Sequence, residues 1–228
     1  MLTDEATGKE EQLRRDMMRF SRWLSRLNFT PGTSGNLSVR LAGERLLVTP
    51  TGMSKGLIRA SDMVVVDMGG RLIRGTRNVT SEIGMHLAIY ERRTDVHAVV
   101  HAHPVTATAF ACSGRALDEL LCQEAVITLG RVPLACYATT GTDEVAESLL
   151  PHVDTHDAVL LENHGAVTYG TTLQDAFFKM ETLEHIAQIA LVAHQVRSAQ
   201  PLRPEQVKRL QFAKLKYQHN ATVLSGPS

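Results

Sequence analysis

Val99-Val100-His101-Ala102-His103-Pro104 is the most informative stretch of this sequence. Residues 95–99 lead into it with Val and Ala, which suit a buried strand. Because side chains alternate between the two faces of a strand, His101 and His103 should point the same way and could share one metal ion. Pro104 cannot donate to a sheet ladder, so the strand should end there with both imidazoles at its rim. An H-x-H pair alone is weak support for a metal site.

The composition predicts one globular α/β domain over residues 1–228, long enough to bury a substantial core. Lys and Arg together number 24, as do Asp and Glu, and this balance disfavours a nucleic-acid partner or an anionic membrane surface. No apolar run is long enough for a membrane span, and the polar N-terminus does not resemble a signal peptide. The three cysteines lack C-x-x-C spacing, which predicts reduced thiols in a cytoplasmic protein.

Hydrophobic periodicity predicts the secondary structure. Apolar residues at spacings of three and four predict a helix over residues 10–27, after a disordered segment at 1–9. Strands are predicted at residues 37–41, 46–49, 63–68, 71–73, 95–103, 132–137, 157–165 and 166–169. Further helices are predicted at residues 82–90, 105–111, 143–150, from 171 onward and at 203–217, whereas 117–129 fits neither period.

Two residues near the start of the second predicted helix have alternative interpretations. Thr80 or Ser81 suits an N-cap, which places Glu82 in the first turn, where an anion is favourable. Glu82 could therefore be a capping carboxylate or a functional group. His86 lies one turn later on the same face and could be a metal ligand or a packed residue.

Later helix ends carry recognisable signals. Thr140 is expected to cap a helix that Pro151 closes. Thr171 and Gln174 form a capping box at the start of a long helix. The inward stripe of that helix is predicted to be Leu173, Phe177, Met180, Leu183, Ala187 and Leu191.

Two Gly-containing turns have the composition of anion sites. Thr33-Ser34-Gly35-Asn36 precedes one predicted strand, and Pro50-Thr51-Gly52-Met53-Ser54-Lys55 follows the next. Both present hydroxyl and main-chain N–H groups with little bulk, which is typical of nests that bind phosphate. Ordinary hairpin loops share this composition, so each turn remains open to either interpretation.

A third histidine completes a possible metal site. His164 follows a predicted buried strand, and Gly165 beside it permits a close main-chain approach. Three histidine ligands would leave one coordination position open, as in catalytic zinc sites. Imidazole donors suit Zn²⁺, Mn²⁺ or Co²⁺. Glu82 near that position could act as a general base or as a fourth ligand that substrate displaces.

These motifs together resemble the class II aldolase/adducin head family, and most closely its L-fuculose-phosphate aldolase-like members. The residues that carry the resemblance are Thr33-Ser34-Gly35-Asn36, Thr49-Pro50-Thr51-Gly52, Ser81-Glu82 with His86, His101-Ala102-His103 and Asn163-His164-Gly165. It covers roughly residues 13–196, leaving residues 197–228 as a C-terminal helical tail. It implies a three-layer α/β/α sandwich around a mostly antiparallel sheet, assembled as a homotetramer with active sites between subunits.

The resemblance also implies roles for particular residues. His101, His103 and His164 would be the metal ligands and Glu82 the acid/base group. Tyr137 matches a tyrosine that reaches a neighbouring subunit's site and protonates the aldehyde oxygen. The substrate phosphate would be held by Thr33, Ser34, Gly35, Asn36, Thr51, Gly52, Thr80 and Ser81.

The implied activity is aldol cleavage of a ketose 1-phosphate to dihydroxyacetone phosphate and an aldehyde, with the metal stabilising the enediolate as a Lewis acid. Sugar-phosphate 4-epimerases, dehydratases and decarboxylases of the family use the same site. The epimerases usually carry an aspartate where Glu82 stands, which disfavours that branch, whereas the dehydratases retain a glutamate. An adducin-like binding module lacks the histidine set and is disfavoured here.

Overall fold

A computed structural model describes residues 4–224 of the chain, with side chains described for residues 7–215. Its centre is an eight-stranded sheet of order β4-β3-β2-β1-β5-β8-β7-β6, antiparallel except between β6 and β7. The strands are β1 (Asn36–Leu41), β2 (Arg45–Val48), β3 (Val64–Asp67), β4 (Leu72–Arg74), β5 (Ala98–Ala102), β6 (Leu134–Ala135), β7 (Ala158–Leu161) and β8 (Gly165–Gly170).

Helices cover both faces of this sheet. They are α1 (Asp4–Arg26), α2 (Ile83–Arg92), α3 (Val105–Cys112), α4 (Asp143–Val153), α5 (Leu173–Val196) and α6 (Pro204–Leu224). One buried core joins α1, α3 and α5 to the sheet, and a second joins α2 and α4 to it. The predicted three-layer arrangement around a mostly antiparallel sheet is therefore confirmed. None of the described helices is long and apolar enough to span a membrane.

The strand that carries the H-x-H pair lies in the middle of the sheet. β5 pairs with β1 on one side, where Asn36 faces His101, and with β8 on the other. All five residues of β5 are buried, as its Val and Ala content predicts. The strand ends at Ala102, and Pro104 occupies the N-cap of α3. This register brings the loop before β1, the end of β5 and the turn before β8 to one edge of the sheet.

The first helix begins six residues earlier than predicted and ends one residue earlier, at Arg26. The chain is helical from Asp4, so the disorder predicted for residues 1–9 is wrong for 4–9, while residues 1–3 lie outside the described residues. Glu10 is buried and paired with Arg14 at 2.8 Å and with Arg74, which stabilises the early turns. Within the predicted C-terminal tail at 197–228, helix α6 covers Pro204–Leu224.

The strand predicted at 132–137 is much shorter. Only Leu134 and Ala135 pair with β7, while Val132 forms an isolated bridge to Leu117. Residues 125–129, within the segment left unassigned, form one turn of π-helix.

Three helix ends were assigned to the wrong residue. Glu82 itself occupies the N-cap position of α2, and its side chain makes no capping hydrogen bond. Thr142 rather than Thr140 occupies the N-cap of α4, because Gly141 turns the chain with a φ of +77° before the helix begins. Pro151 does not close that helix, which continues to the buried Val153.

The long helix α5 also begins one residue later than predicted. Thr172 accepts a hydrogen bond from the main-chain N–H of Asp175 at 3.0 Å, so the capping box of Thr171 with Gln174 is wrong. Its predicted inward stripe is buried from Leu173 to Ala187, but Leu191 is exposed, and the neighbouring Ala190 is buried in its place.

Candidate functional site

The three predicted histidines converge at one edge of the sheet. His101 is in β5, His103 follows it by two residues, and His164 lies in the turn between β7 and β8. Asn163 adopts a left-handed φ of +55°, and the N–H of His164 bonds to the carbonyl of Leu161 at 3.0 Å, which closes this turn. One nitrogen from each ring lies within 4.8 Å of the others. Among the described residues, this is the group with metal-ligand spacing.

Two of the three rings, His101 and His103, are neutral, as metal ligation requires. Nδ1 of His101 donates to the carbonyl of Ala166 at 3.0 Å, so its Nε2 keeps a lone pair directed into the site. Burial lowers the pKa of His101 to about 4, although the negative charge of Glu82 acts in the opposite direction. Burial and the neighbouring His101 and His164 lower the pKa of His103 to about 3. Both rings are therefore neutral at pH 7.

The donor geometry fits a divalent cation. Tetrahedral zinc holds imidazole nitrogens at about 2.0–2.1 Å, which places neighbouring ligand atoms roughly 3.4 Å apart. The Nε2 atoms of His101 and His103 are 3.1 Å apart, and small ring rotations would bring His164 to the same spacing. Three protein nitrogens without cysteine leave a coordination position open and suit Zn²⁺, Mn²⁺ or Co²⁺.

Gly165 permits this convergence. A Cβ atom there would lie 2.7 Å from the carbonyl oxygen of Ala102 and 2.7 Å from Cδ2 of His103. Any larger residue would therefore displace the His103 ring or the adjoining strand. The close main-chain approach expected from the sequence is present.

Glu82 lies against the histidines rather than capping its helix. Its Oε2 is 3.4 Å from Nε2 of His101 and accepts a hydrogen bond from Nδ2 of Asn36 at 2.6 Å. Its Oε1 is 3.2 Å from Nε2 of His164, but this buried oxygen has no hydrogen-bond partner among the described residues. Burial raises the pKa of Glu82, yet His101, His164 and the Asn36 amide together hold the pKa below its ordinary value. The carboxylate is therefore charged, with one oxygen available.

A cavity of about 340 Å³ opens beside this group. It brings together all eight residues predicted for phosphate binding, some of their neighbours, and the side chains of Glu82 and His164. The lining residues are Thr33, Ser34, Gly35, Asn36, Pro50, Thr51, Gly52, Lys55, Thr80, Ser81, Glu82, Thr140, Gly141 and His164. The two Gly-containing loops meet at this cavity although strands β1 and β2 separate them in the sequence. Its volume suits a small phosphorylated metabolite.

Lys55 is a cation in the second Gly-containing turn, where the sequence suggested that substrate specificity could differ, and it was not among the predicted phosphate-binding residues. It is only 1% exposed, and its Nζ donates to the carbonyls of Thr33 at 3.1 Å and Met53 at 2.7 Å. No carboxylate lies within 4.0 Å of this ammonium among the described residues. Burial lowers the pKa of Lys55 to about 8, opposed by the charge of Glu82. The proximity to Thr33 depends on tertiary structure, so only its position in the turn was visible in the sequence.

Tyr137 does not reach the cavity of its own chain. Its side chain is 63% exposed, and only its main-chain N–H is engaged, by Oε2 of Glu162 at 2.7 Å. A role in a neighbouring subunit's site stays a prediction. Thr140 and Gly141, which follow it, do line the cavity and were not predicted as site residues.

Known proteins are similar in sequence to this chain over the part that forms the site. The profile of the family described as class II aldolase and adducin N-terminal domain matches residues 15–191. An L-fuculose phosphate aldolase of Methanococcus maripaludis is 36% identical over 169 residues, covering 74% of this chain and 91% of that protein. A 5-methylthioribulose-1-phosphate/5-deoxyribulose-1-phosphate aldolase of Rhodospirillum rubrum is 33% identical over 221 residues, covering 97% of this chain and 99% of that protein.

Two further comparisons extend this similarity. A 3-oxo-tetronate 4-phosphate decarboxylase of Haemophilus influenzae is 36% identical over 181 residues, covering 76% of this chain and 84% of that protein. Among solved structures, an L-fuculose 1-phosphate aldolase superposes with a TM-score of 0.84 at 31% identity, covering 91% of this chain and 96% of the other. Similar proteins thus include aldolases with different substrates and a decarboxylase.

Proposed function

Because this chain belongs to the family of class II aldolases and adducin N-terminal domains, we propose that it is a metal-dependent aldehyde-lyase acting on a ketose 1-phosphate of the L-fuculose phosphate type. Its products would be dihydroxyacetone phosphate and an aldehyde. One observation carries the proposal: three imidazole donors and a charged carboxylate lie at one end of a cavity whose other residues suit a phosphate. The three free cysteines support a cytoplasmic location.

His101, His103 and His164 would hold the divalent cation, for which Zn²⁺ is our first choice and Mn²⁺ or Co²⁺ are alternatives. When bound, the cation supplies Lewis-acid stabilisation for the negative charge that carbon–carbon cleavage leaves on the three-carbon fragment. The hydrogen bond from His101 to Ala166 keeps the ring in the tautomer that coordination requires.

The phosphate end of the substrate would lie between the two Gly-containing loops. Main-chain N–H groups and hydroxyls there provide neutral donors, with Thr80 and Ser81 on a third side. Lys55 provides a formal positive charge without a carboxylate partner among the described residues, so a phosphate dianion would compensate it. Binding at this remote end would hold the reacting carbons against Glu82.

Glu82 would exchange the proton at C3. Cleavage would break the C3–C4 bond and leave the electron pair on C3, while the C4 hydroxyl would lose its proton to solvent as the aldehyde forms. The charged Glu82 carboxylate would take up a proton from solvent and deliver it to C3, so that one proton leaves the C4 oxygen and one arrives at C3. We assign the proton of the aldehyde oxygen to Tyr137 of a neighbouring subunit, within a homotetramer. The exposure of Tyr137 in the single chain supports that assignment.

Decarboxylation is the second candidate, because a decarboxylase is among the similar proteins. A four-carbon 3-oxo acid with a 4-phosphate and a 2-hydroxyl would lose carbon dioxide to leave the same enediolate and the same dihydroxyacetone phosphate. The site as described serves either reaction. Epimerase and dehydratase activities use the same groups, whereas an adducin-like binding module would have no need of the three histidines and Glu82.

A substrate screen distinguishes these activities by the second product. The metal-loaded protein would be incubated with L-fuculose 1-phosphate, 5-deoxyribulose 1-phosphate, 5-methylthioribulose 1-phosphate and 3-oxo-tetronate 4-phosphate. Dihydroxyacetone phosphate would be assayed in every reaction, and the aldehyde and carbon dioxide would be measured separately. The proposal expects aldehyde and dihydroxyacetone phosphate in equal amounts from a ketose 1-phosphate. Release of carbon dioxide without an aldehyde would assign the decarboxylase activity. If neither aldehyde nor carbon dioxide forms from any of the four substrates, the result would contradict a lyase of this class.

A further inference from the structure

A buried chain of hydrogen bonds continues from Glu82 into the protein. Oδ1 of Asn36 lies 2.5 Å from Nε2 of His86, and Nδ1 of His86 lies 2.6 Å from Oγ of Ser38. Oγ of Ser38 lies 2.9 Å from the hydroxyl of Tyr90. All four of these residues are buried, His86 completely. This series of hydrogen bonds therefore runs without a gap from Glu82 in the site to the buried hydroxyl of Tyr90.

The direction of every bond follows from the carboxylate at its end. A charged carboxylate only accepts, so Asn36 must present its NH₂ group to Glu82 and its carbonyl oxygen to His86. The Nε2 atom of His86 must then carry a hydrogen and its Nδ1 must accept from the hydroxyl of Ser38. The hydroxyl of Tyr90 donates to Ser38 in turn. Each donor has an acceptor, provided that His86 is neutral and protonated on Nε2.

We propose that His86 is a positioning residue for Glu82: it fixes the orientation of the Asn36 amide, which holds Oε2 of Glu82 and leaves Oε1 as the oxygen that exchanges the substrate proton. This inference rests on the acid/base role of Glu82 in the proposed function. It explains why the two oxygens differ, since Oε2 is bonded at 2.6 Å whereas the buried Oε1 has no hydrogen-bond partner among the described residues. Without the N–H of His86, the Asn36 amide could rotate by half a turn and present oxygen to the carboxylate.

Asn36 then has a different role from the phosphate binding that the resemblance implies. Its side-chain oxygen and one of its two amide hydrogens are already engaged, by His86 and Glu82 respectively. Only the second hydrogen of Nδ2 is left for a substrate. Asn36 therefore acts mainly on Glu82, and the neighbouring neutral donors and Lys55 account for most of the phosphate site.

His86 does not need to exchange a proton for this role. Burial lowers the pKa of His86 to about 4, with the charge of Glu82 opposing the shift, so the ring stays neutral through the range in which enzymes of this kind are assayed. Ser38 and Tyr90 contact it on the other side, and both are uncharged hydroxyls. The ring is thus held as a fixed donor on one side and a fixed acceptor on the other.

The first test is independent of activity. Nitrogen-15 NMR of histidine-labelled protein would be recorded for the wild type and for His86→Gln, whose missing signals assign residue 86. We expect a neutral ring with hydrogen on Nε2 at pH 5–8. A ring protonated on Nδ1, or a doubly protonated ring, would overturn the proposal, because Asn36 would then be oriented differently.

The second test compares His86→Leu with His86→Gln and with the exposed control His97→Gln. Leu removes the donor to Asn36, whereas the Gln amide can replace it near the position of Nε2. In the metal-loaded protein we expect His86→Leu to lower kcat about 10-fold to 100-fold, the effect of one hydrogen bond to a charged network, with KM and metal content nearly unchanged. His86→Gln should recover most of the loss, and His97→Gln should match the wild type.

Two results would overturn the inference while leaving the proposed function intact. One is wild-type kcat in folded, metal-loaded His86→Leu, and the other is loss of metal from that variant in proportion to its activity. Inactivity of the wild type on every lyase substrate would instead contradict the proposed function, and the NMR result would still decide the tautomer. If His86→Leu does not fold, Ser38→Ala provides the kinetic comparison, since it removes the bond that fixes Nδ1 as acceptor, together with the bond from Tyr90, and leaves the imidazole in place.

Discussion

Lys55 allows the most direct test of the phosphate site at the level of a single residue. Replacing it with Gln removes the positive charge but retains a donor to the carbonyls of Thr33 and Met53. A hydrogen bond to a charged group contributes about 1.5–3 kcal/mol, so KM for a phosphorylated substrate should rise roughly 10-fold to 100-fold. Steady-state kinetics and titration with inorganic phosphate measure the effect.

Two substitutions serve as controls for this prediction. Lys55→Arg keeps the charge and should retain most of the affinity, while Arg71→Gln removes an exposed cation that pairs with Asp67 in the turn after β3 and should have no effect. Equal phosphate affinity in Lys55→Gln and the wild type would show that Lys55 only ties the two loops together.

Gly165 provides a second prediction at the residue scale. In Gly165→Ala the new Cβ would lie 2.7 Å from the ring of His103, so the ring or the strand must move. Overpacking of this kind costs about 1–3 kcal/mol, and we expect weaker metal binding as well as a lower melting temperature. Gly84→Ala is the matched control, because a Cβ there meets nothing within 4 Å. Unchanged metal content in Gly165→Ala would mean that the turn adapts without moving His103.

The roles of site residues could be predicted where they depend on spacing along the sequence. They could not be predicted where they depend on contacts between distant parts of the chain. The strand periodicity of two places His101 and His103 on one face, so their convergence could be expected from the sequence. The partners of Lys55 and the orientation of Asn36 depend on loops and strands separated by many residues. His86 was left open between ligand and packed residue; it lies beside Asn36, outside the three-histidine group.

At the level of secondary-structure elements, the start of α5 gives a test with a neighbouring control. Thr172 accepts from the N–H of Asp175, so Thr172→Ala should lower the free energy of unfolding by about 0.5–2 kcal/mol, the usual contribution of an N-cap. Thr171→Ala should have a much smaller effect, because its side chain makes no cap. Urea denaturation of both variants measures the difference. A larger loss in Thr171→Ala would restore the capping box that the sequence predicted.

The elements themselves were predictable from periodicity, whereas their ends were not. The segments T-T-L-Q (171–174) and T-T-G-T (139–142) each contain more than one threonine, and the prediction chose the wrong one as N-cap in both. Gly141 moves the start of α4 to Thr142, and burial of Val153 keeps that helix intact beyond Pro151. A local glycine turn thus determined the start of α4, and a tertiary contact determined its end.

For the whole molecule, we predict a pH-dependent stability to which buried His86 contributes. Its pKa is about 4 in the folded protein, because burial disfavours the charged ring, and about 6.5 in the unfolded chain. Between these values the unfolded chain binds a proton that the folded protein does not. The contribution of His86 is therefore complete above about pH 6.5 and is lost as the pH falls toward 4.

This effect can be isolated by substitution. Urea denaturation of metal-free wild type and of His86→Gln between pH 4.5 and 7.5 should show a shallower decline of stability with acid for the variant, since glutamine does not titrate. Parallel curves would contradict the assignment of a neutral, buried His86.

The architecture of the whole chain was predictable mainly through the resemblance, because five short motifs in order specify a fold that propensity alone does not. The strand order, with β5 between β1 and β8, follows from no local signal. A single folded domain and a homotetramer that brings Tyr137 to a neighbouring site stay predictions. Mixing inactive Tyr137→Phe and Glu82→Gln chains tests the second, since recovered activity requires shared sites.

The most direct measurement of the central claim is exchange of the C3 proton of dihydroxyacetone phosphate with solvent deuterium. It reports formation of the enediolate without requiring knowledge of the aldehyde. We predict exchange by wild type that is lost on metal removal and restored on readdition. Glu82→Gln should slow it by about 10²–10⁴-fold, as expected for loss of a general base, while the melting temperature barely changes. Absence of exchange in the metal-loaded wild type, or exchange at the wild-type rate in Glu82→Gln, would contradict the account.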